Sequence, residues 1–553
     1  MRLRQRGAAL ILFATILVMG FAWYMVGALG KAPVANSERE VKTALALQEA
    51  KRALLSYIVQ YAARPDTAQP GQIPCPESLT LSQPGETHSC SATSIVVGRF
   101  PWKTLGVDPV YDGEGEPLWL MTRGFRDPPI NFATAAGLTV TTGGVATPVV
   151  AIIIAPGRPR NTASLAGTLT GCTKQNQMVD GRNQATLVPA NFIECGVTTG
   201  SITSPGNADW TNDRVIAITA AEWADAIAPA IADRLQRQVA PAMYDFYNTT
   251  SLASWGQRFF PNASTFSTPA SNSLCGVVDT FSGMPPTATV ASGTCSTNWD
   301  SISVSGLGGL LSPGACFLDA TGIVCDFSML LPGVATPQIN ITAPRVGYAY
   351  RYVDTSQITL QVTSPVPLLP STATVNVLPG TVSSITGRGT FRFQITFPLL
   401  AALQEVRVRI PFATDALAAD ARSAWYVTNS WDRFTYYGIS QAASHDAAGT
   451  QCTPGGNLTN CLTVSGLPAS TPPGDKRLVL VLMGRALPGK TWGANLDDYL
   501  DPIDPLAPVP ADNSTAGDNQ YTASTVTATF NDRIAVCPFK LQNHAGTDVT
   551  LCN

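Results

Sequence analysis

The chain opens MRLRQRGAALILFATILVMGFAWYMVGALG over residues 1–30, and how this stretch is read decides the architecture expected of everything after it. Arg2, Arg4 and Arg6 stand without an acidic partner ahead of an uncharged run from Ala8 to Gly30. An apolar helix needs about 20 residues at about 1.5 Å each to cross a bilayer core of roughly 30 Å, so residues 8–30 are predicted to form a transmembrane helix. Arginines beside a span hold their flank in the cytoplasm. This places the chain beyond Lys31 across the inner membrane in a single pass.

An ordinary secretory signal has a shorter apolar core with a small-residue cleavage site behind it, whereas here the small residue, Gly7, comes first. A basic leader, a glycine and an uninterrupted apolar helix resemble the prepilin signal of type IV pilins and type II secretion pseudopilins. The resemblance implies a leader of residues 1–7, cut by a prepilin peptidase between Gly7 and Ala8. In most members the fifth residue after the cut is a glutamate that pairs with the amino terminus of a neighbouring subunit; here it is Leu12. A carboxylate in lipid is costly unless partnered, and the resemblance assigns subunits that lack it to a filament tip. A plain signal anchor fits the same thirty residues and would give a single-pass exported adhesin or binding protein that is never assembled.

Outward from the span, SEREVKTALALQEAKRALLSYIVQYAA from Ser37 carries Val41, Leu45, Leu47, Leu54, Leu55 and Ile58 on a helical period, with Ser37 and Glu40 as a capping box. Pro33 and Gly30 mark a bend between the span and this helix. The apolar stripe fits burial against the chain's own sheet better than an oligomer seam. Then come GQIPCP (71–76), GRFPWKTLGV (98–107), DGEGEPLWLMT (112–122), the strand-like PVVAIIIAPG (148–157) and NDRVIAIT (212–219). This order resembles a group of large type II secretion and prepilin-like proteins over about residues 1–220. Trp102 and Trp119 read as core plugs beside turns.

A second copy of these landmarks follows. Residues 220–247 form another amphipathic helix interrupted by Pro229 and Pro241. SWGQRFFPN then stands for PGQIPCP, WDRFTYYGIS for GEPLWLMT, DKRLVLVLMGRALPG for the apolar strand, Tyr499-Leu500-Asp501 for MVDGRN, and NDRIAVC for NDRVIAI. Between helix and landmarks, QITLQVTS, TATVNVLP, GTFRFQITF and EVRVRIPF alternate with period two, as in a small antiparallel sandwich. The expected fold is therefore α+β: a membrane helix (8–30) continuing into a pilin-like helix on antiparallel sheet (31–220), a second pilin-like module (221–264 with 416–553), and an inserted, disulfide-rich β-sandwich-like domain (265–415).

A length of 553 residues supports about three globular units, and a net charge of −3 with 13% charged residues provides no basic field for nucleic acid. Twelve cysteines fall as neighbouring couples: Cys75/Cys90, Cys172/Cys195, Cys275/Cys295, Cys316/Cys325, Cys452/Cys461 and Cys537/Cys552. An even count in an exported chain favours disulfides, whereas connectivity does not follow from spacing. Only His88, His445 and His544 could serve a zinc site or a catalytic base, and no GxSxG elbow accompanies them, so no enzyme is expected. Asp112, Glu114 and Glu116, and the aspartates from Asp497 to Asp518, read as solvated acidic turns; calcium is the cofactor they could hold. Asn212-Asp213-Arg214 and Asn531-Asp532-Arg533 read as charged turns leading into strands. The expected partners are other pilin or pseudopilin subunits, a prepilin peptidase and the inner membrane.

Overall fold

The computed structural model describes residue 19, residues 37–77, 84–157 except 92, 189, 192–193, 199–203 and 213–247 except 246; beyond these it describes 260, 263, 281–285, the strands within 301–411, and parts of 417–549. Residues 37–63 form helix α1. Its buried residues Leu47, Ala50, Leu54, Ile58 and Ala62 recur at three- and four-residue intervals, as one packed helical face requires. Val41 and Leu45 are 56% and 65% exposed, so the predicted stripe divides into a sealed C-terminal part and an open N-terminal pair.

The expected fold class is corrected on one point. No helix among the described residues is long and apolar enough to cross a membrane. Helix α1 is not itself a lipid span, because Glu38, Arg39, Glu40 and Lys42 crowd its first turns and Glu49, Lys51 and Arg52 its middle. Gly7, Ala8, Leu12 and the run 8–30 lie outside the described residues, apart from Met19.

Two compact units divide the chain. The first holds the chain up to Gln60, Gln72–Asp127 and Ala135–Trp223; the second holds Tyr61–Gly71, Pro128–Thr134 and Ala224–Asn553. In the first, strands β1 (Val96–Arg99), β2 (Trp119–Thr122), β3 (Leu138–Thr142), β4 (Val145–Ala155), β5 (Ser201–Thr203) and β6 (Arg214–Thr219) build a six-stranded sheet in the order β1-β2-β4-β3-β5, with β6 also on β4. Strand β4 is its spine. Val149 to Ala155 are each at most 1% exposed, which is why VVAIIIA is apolar without alternation. On one face Ile152 and Ile154 pack with Trp119, Met121, Val140, Phe192 and Ile202. On the α1 side, Lys51 pairs with Glu222 at 2.6 Å and Arg214 with Glu40 at 3.4 Å.

Strand β6 runs directly into α2 (Ala220–Arg234), followed by a π-helical turn (Leu235–Val239) and α3 (Ala240–Asp245). Pro229 and Pro241 therefore interrupt a continuous helical path less than expected. In the second unit, β7 (Ser282–Gly283) is followed, past the insertion, by a short helix α4 (Ala424–Thr428), a 3₁₀ turn (Trp431–Phe434), and strands β17 (Thr435–Ile439), β18 (Thr463–Ser465), β19 (Leu478–Leu482), β20 (Gln520–Thr522) and β21 (Arg533–Val536). The insertion supplies β8 (Ser301–Ser305), β9 (Leu311–Asp319), β10 (Gly322–Met329), β11 (Gln338–Pro344), β12 (Thr359–Ser364), β13 (Ser371–Thr372), β14 (Thr374–Ser383), β15 (Arg388–Thr396) and β16 (Glu405–Pro411). These form two antiparallel sheets, β13-β12-β16-β10-β9 and β14-β15-β11-β8. In β16, buried Val406 and Val408 alternate with exposed Glu405 and Arg407, as a one-sided sheet dictates. Arg407 closes an outer-face pair with Asp326 at 2.7 Å.

The two units repeat one pairing scheme at the same register. In the first, Trp119 faces Ile154 and Ile154 faces Val215; in the second, Tyr436 faces Val481 and Val481 faces Ile534. Leu138 opposite Val149 recurs as Leu462 opposite Lys476. The parallel pair Val140–Ile202 recurs as Val464–Tyr521. Gly98 opposite Leu120 recurs as Gly283 opposite Tyr437. Even the backbone before the parallel strand repeats: Thr139 N–H donates to Gly200 O and Thr463 N–H to Asn519 O, each acceptor being at positive φ, 68° and 60°. Glycine and asparagine are the residues that hold that conformation at least cost. Phe192-Ile193 and Tyr499-Leu500 close matching turns, with N–H groups on Pro189 O and Leu496 O. Tyr499 thus matches Phe192. The MVDGRN landmark chosen for it from sequence lies outside the described residues.

Candidate functional site

Three of the sequence landmarks meet at a cavity of about 390 Å³ in the first unit, between Glu77, the GRFPW stretch and the acidic turn before β2. One wall starts at the Cys75–Cys90 disulfide, which joins Cα atoms 6.1 Å apart and closes a short loop. Inside it, Thr87 Oγ1 donates to Cys75 O at 2.7 Å, and His88 Nδ1 lies 2.8 Å from Pro76 O. Glu77 N–H donates to Arg99 O at 2.9 Å, which ties the loop to β1. A Cβ on Gly98 would stand 2.3 Å from Glu77 O, so only glycine admits this close approach of two backbones. Gly85, at φ +76°, lies against the Trp102 ring with no room for a side chain.

The opposite wall is the turn Tyr111–Leu118, and Asp112 is its pin. Asp112 is fully buried; Oδ1 accepts the N–H groups of Glu114 and Glu116 at 2.9 Å each, and Oδ2 accepts that of Gly157 at 3.0 Å. A Cβ on Gly113 would stand 2.1 Å from Arg39 O, and Gly113 N–H donates to Thr43 Oγ1 at 2.9 Å, so α1 seats the turn. The carboxylate read from sequence as a possible calcium ligand is thus engaged with amides. Among the described residues no group of three or more His, Cys, Asp or Glu side chains could hold a metal ion.

What singles the cavity out is its floor. Glu77 is 2% exposed, and its buried Oε1 has no hydrogen-bond partner among the described residues; Arg99 is half-buried, and its Nε is likewise a buried atom without a partner among them. Burial raises the Glu77 carboxyl above its usual range, against the opposing pull of the Gly85 N–H and the Arg99 charge. An unpaired buried polar atom costs roughly 1–3 kcal/mol, more when charged, and both of these atoms have almost no accessible surface. Phe100, Trp102 and Tyr111 supply aromatic wall, with Tyr111 exposed at the rim.

Neither Glu77 nor Arg99 was singled out from sequence. The available signal was a charged residue directly behind PCP, next to a disulfide cysteine, and another between Gly98 and Phe100. Cys325 and Cys461 are also disulfide-bonded, and Cys316 faces Cys325 in strand register. Cys172, Cys195, Cys275, Cys295, Cys452, Cys537 and Cys552, together with His445, His544 and Asp497, Asp498 and Asp501, lie outside the described residues. Asp213 and Asp532 are both buried at the starts of β6 and β21. Asn531 fits over Gly484, where a Cβ would stand 1.7 Å from its Oδ1, and donates to Arg485 O at 2.8 Å. The Asn531-Asp532-Arg533 turn is a structural closure, and Asn212 lies outside the described residues. Comparison with family models, with characterised proteins and with solved structures finds no match to this chain.

Proposed function

We propose that the protein is a non-enzymatic minor subunit of a type IV pilus or type II secretion filament, held at the inner membrane before assembly and presenting its large periplasmic head at a filament end. The observation that carries this reading is the form of α1: its C-terminal part is sealed in the first unit, while Val41 and Leu45 stay open just after the apolar run 8–30. Such a helix is suited to share its outer half with neighbouring subunits. The Cys75–Cys90 bond supports an oxidising, exported location. The mature chain is expected to begin at Ala8, and Gly7→Asp to abolish maturation; amino-terminal sequencing of membrane fractions that contain an active prepilin peptidase checks both. An intact Met1 there would instead support an exported adhesin or binding protein that is never assembled. The end position is read by labelling the head on isolated filaments. Label at one end supports it, and label spaced along the shaft overturns it.

A further inference from the structure

We propose that the cavity of the first unit binds a proline-rich segment of a partner protein, held as a polyproline II helix against the cavity's aromatic wall. The wall is the first observation that carries this. Trp102 and Tyr111 line the cavity with Pro84, Pro109 and Pro117, and unlike the floor they are open: Tyr111 is 48% exposed, Trp102 is half-buried, and Pro84 and Pro109 are exposed. Gly85 braces the indole from behind. A Cβ there would stand 2.4 Å from Trp102 Cε2 and 2.8 Å from Cδ2, so that side of the ring is closed and the rest borders the cavity. Aromatic grooves of this kind are what the rings of a proline-rich peptide pack into.

The second observation is the balance of donors and acceptors. Trp102 Nε1, Tyr111 OH and Arg99 Nη1 and Nη2 can all donate; they make no hydrogen bond among the described residues and, unlike Arg99 Nε, they are not buried. Neither acid on the cavity is free: Glu77 is engaged by the Gly85 N–H and the Arg99 charge, and Glu116 has partners of its own. What the cavity offers an occupant is therefore donors beside apolar rings. A proline-rich backbone is the complement, because proline has no N–H and a polyproline II helix makes no internal hydrogen bonds, which leaves its carbonyls free to accept. A sugar brings about as many donors as acceptors, and an inorganic anion meets the donors but gains nothing from the rings. The volume of about 390 Å³ lies at the lower end of the range for ligand pockets, which suits one turn of about three residues rather than a folded surface. Both sides are ordered in advance. Lys103 and Thr104 N–H groups donate to Gly85 O at 2.9 and 3.1 Å, which holds Trp102 on its brace, and Asp112 locks the turn that carries Tyr111, so docking loses little freedom. The second unit does not repeat the site: the residue that follows Gly283, the counterpart of Gly98, is Met284 rather than an arginine.

The test uses the full exported chain, with the Cys75–Cys90 bond confirmed by peptide mapping. Four probes are titrated calorimetrically: decaproline and an alternating glycine-serine peptide of the same length, both acetylated and amidated, then cellobiose and inorganic phosphate. Saturable binding of decaproline, with the other three at least tenfold weaker, is the expected result. Tyr111→Ala and Trp102→Ala should each weaken decaproline at least tenfold. Tyr111 is exposed, so its variant keeps the test intact if Trp102→Ala fails to fold. Hydrogen–deuterium exchange on the unaltered chain should show decaproline-dependent protection confined to peptides covering residues 84–86, 98–104 and 109–118. Absence of saturable decaproline binding, tighter binding of the glycine-serine peptide, cellobiose or phosphate, undiminished binding in folded Tyr111→Ala, or protection elsewhere in the chain overturns the proposal. None of these outcomes depends on whether the protein enters a filament.

Discussion

Asp112→Ala is expected to lower the stability of the first unit by about 3–5 kcal/mol, although it removes a carboxylate that forms no ion pair among the described residues. The loss follows from what the carboxylate holds. Its two oxygens accept three backbone N–H groups, those of Glu114, Glu116 and Gly157, and its own N–H donates to Glu116 O at 2.8 Å. Each buried donor left without an acceptor costs roughly 1–3 kcal/mol, and water can reach the Glu114 side of the turn, which keeps the total below the simple sum. Gly157 lies two residues beyond the end of β4, so the same change frees the end of the spine strand from the turn before β2. Asp112→Asn preserves one carbonyl oxygen and turns an amide NH₂ toward the remaining donors; its loss should be smaller, at about 1–3 kcal/mol. Urea titration with proteolysis at each point measures the effect. A midpoint unchanged in Asp112→Ala would show that the amides find other acceptors and that the carboxylate does not pin the turn.

Much of this unit was legible in the sequence, and the reasons are physical. VVAIIIA reads as a strand sealed on both faces because apolar residues without alternation leave no solvent side, and NDR reads as a turn because short polar side chains close backbone there. The repeat was visible where bulky or punctuating residues mark it, at Trp119 and Tyr436 or at Arg214 and Arg533. It was missed where the chain carries small polar residues. GLTVTT and CLTVSG run to the same parallel partner at the same register, yet Thr and Ser alternate with apolar residues in almost any strand. The match of Phe192-Ile193 with Tyr499-Leu500 was hidden for another reason: a turn is conserved in backbone while its side chains change. The candidate site was legible only in pieces. GQIPCP, GRFPW and DGEGEPLW stood out separately, but nothing local reveals that their backbones converge, or that Glu77 Oε1 and Arg99 Nε are buried without hydrogen-bond partners among the described residues. Helix α1 shows the same limit, since period alone does not separate buried Leu47 and Leu54 from open Val41 and Leu45.

In the second unit the largest effect is expected at Arg234, where Arg234→Met should cost about 3–5 kcal/mol. Arg234 is 2% exposed and forms no ion pair with a carboxylate among the described residues. Its guanidinium instead donates to Gln238 Oε1 at 2.8 Å, to Thr67 O at 3.0 Å and to Ala62 O at 3.3 Å, and stacks on the Trp425 ring at 4.0 Å. One side chain thus serves the end of α2, the segment Tyr61–Gly71 and α4. Burial lowers its pKa to about 10, with the Asp66 charge opposing, so the group remains a cation throughout the neutral range. Methionine retains the apolar stem but leaves two carbonyls and an amide oxygen without donors, and forfeits a cation–π contact of about 1–2 kcal/mol; charge-assisted bonds of roughly 1.5–3 kcal/mol supply the rest. Arg234→Lys keeps the charge, yet one ammonium cannot reach these acceptors in several directions while lying flat on an indole, so it should recover less than half of the loss. Gln238 discriminates further. It donates to Pro65 O at 3.0 Å as well as accepting from Arg234, so Gln238→Ala combined with Arg234→Met should cost less than the sum of the two alone. Additive losses, or equal stability of Arg234→Lys and the unaltered chain, would mean that the guanidinium does not organise these carbonyls and that the apolar neighbours of α2 hold the segment without it.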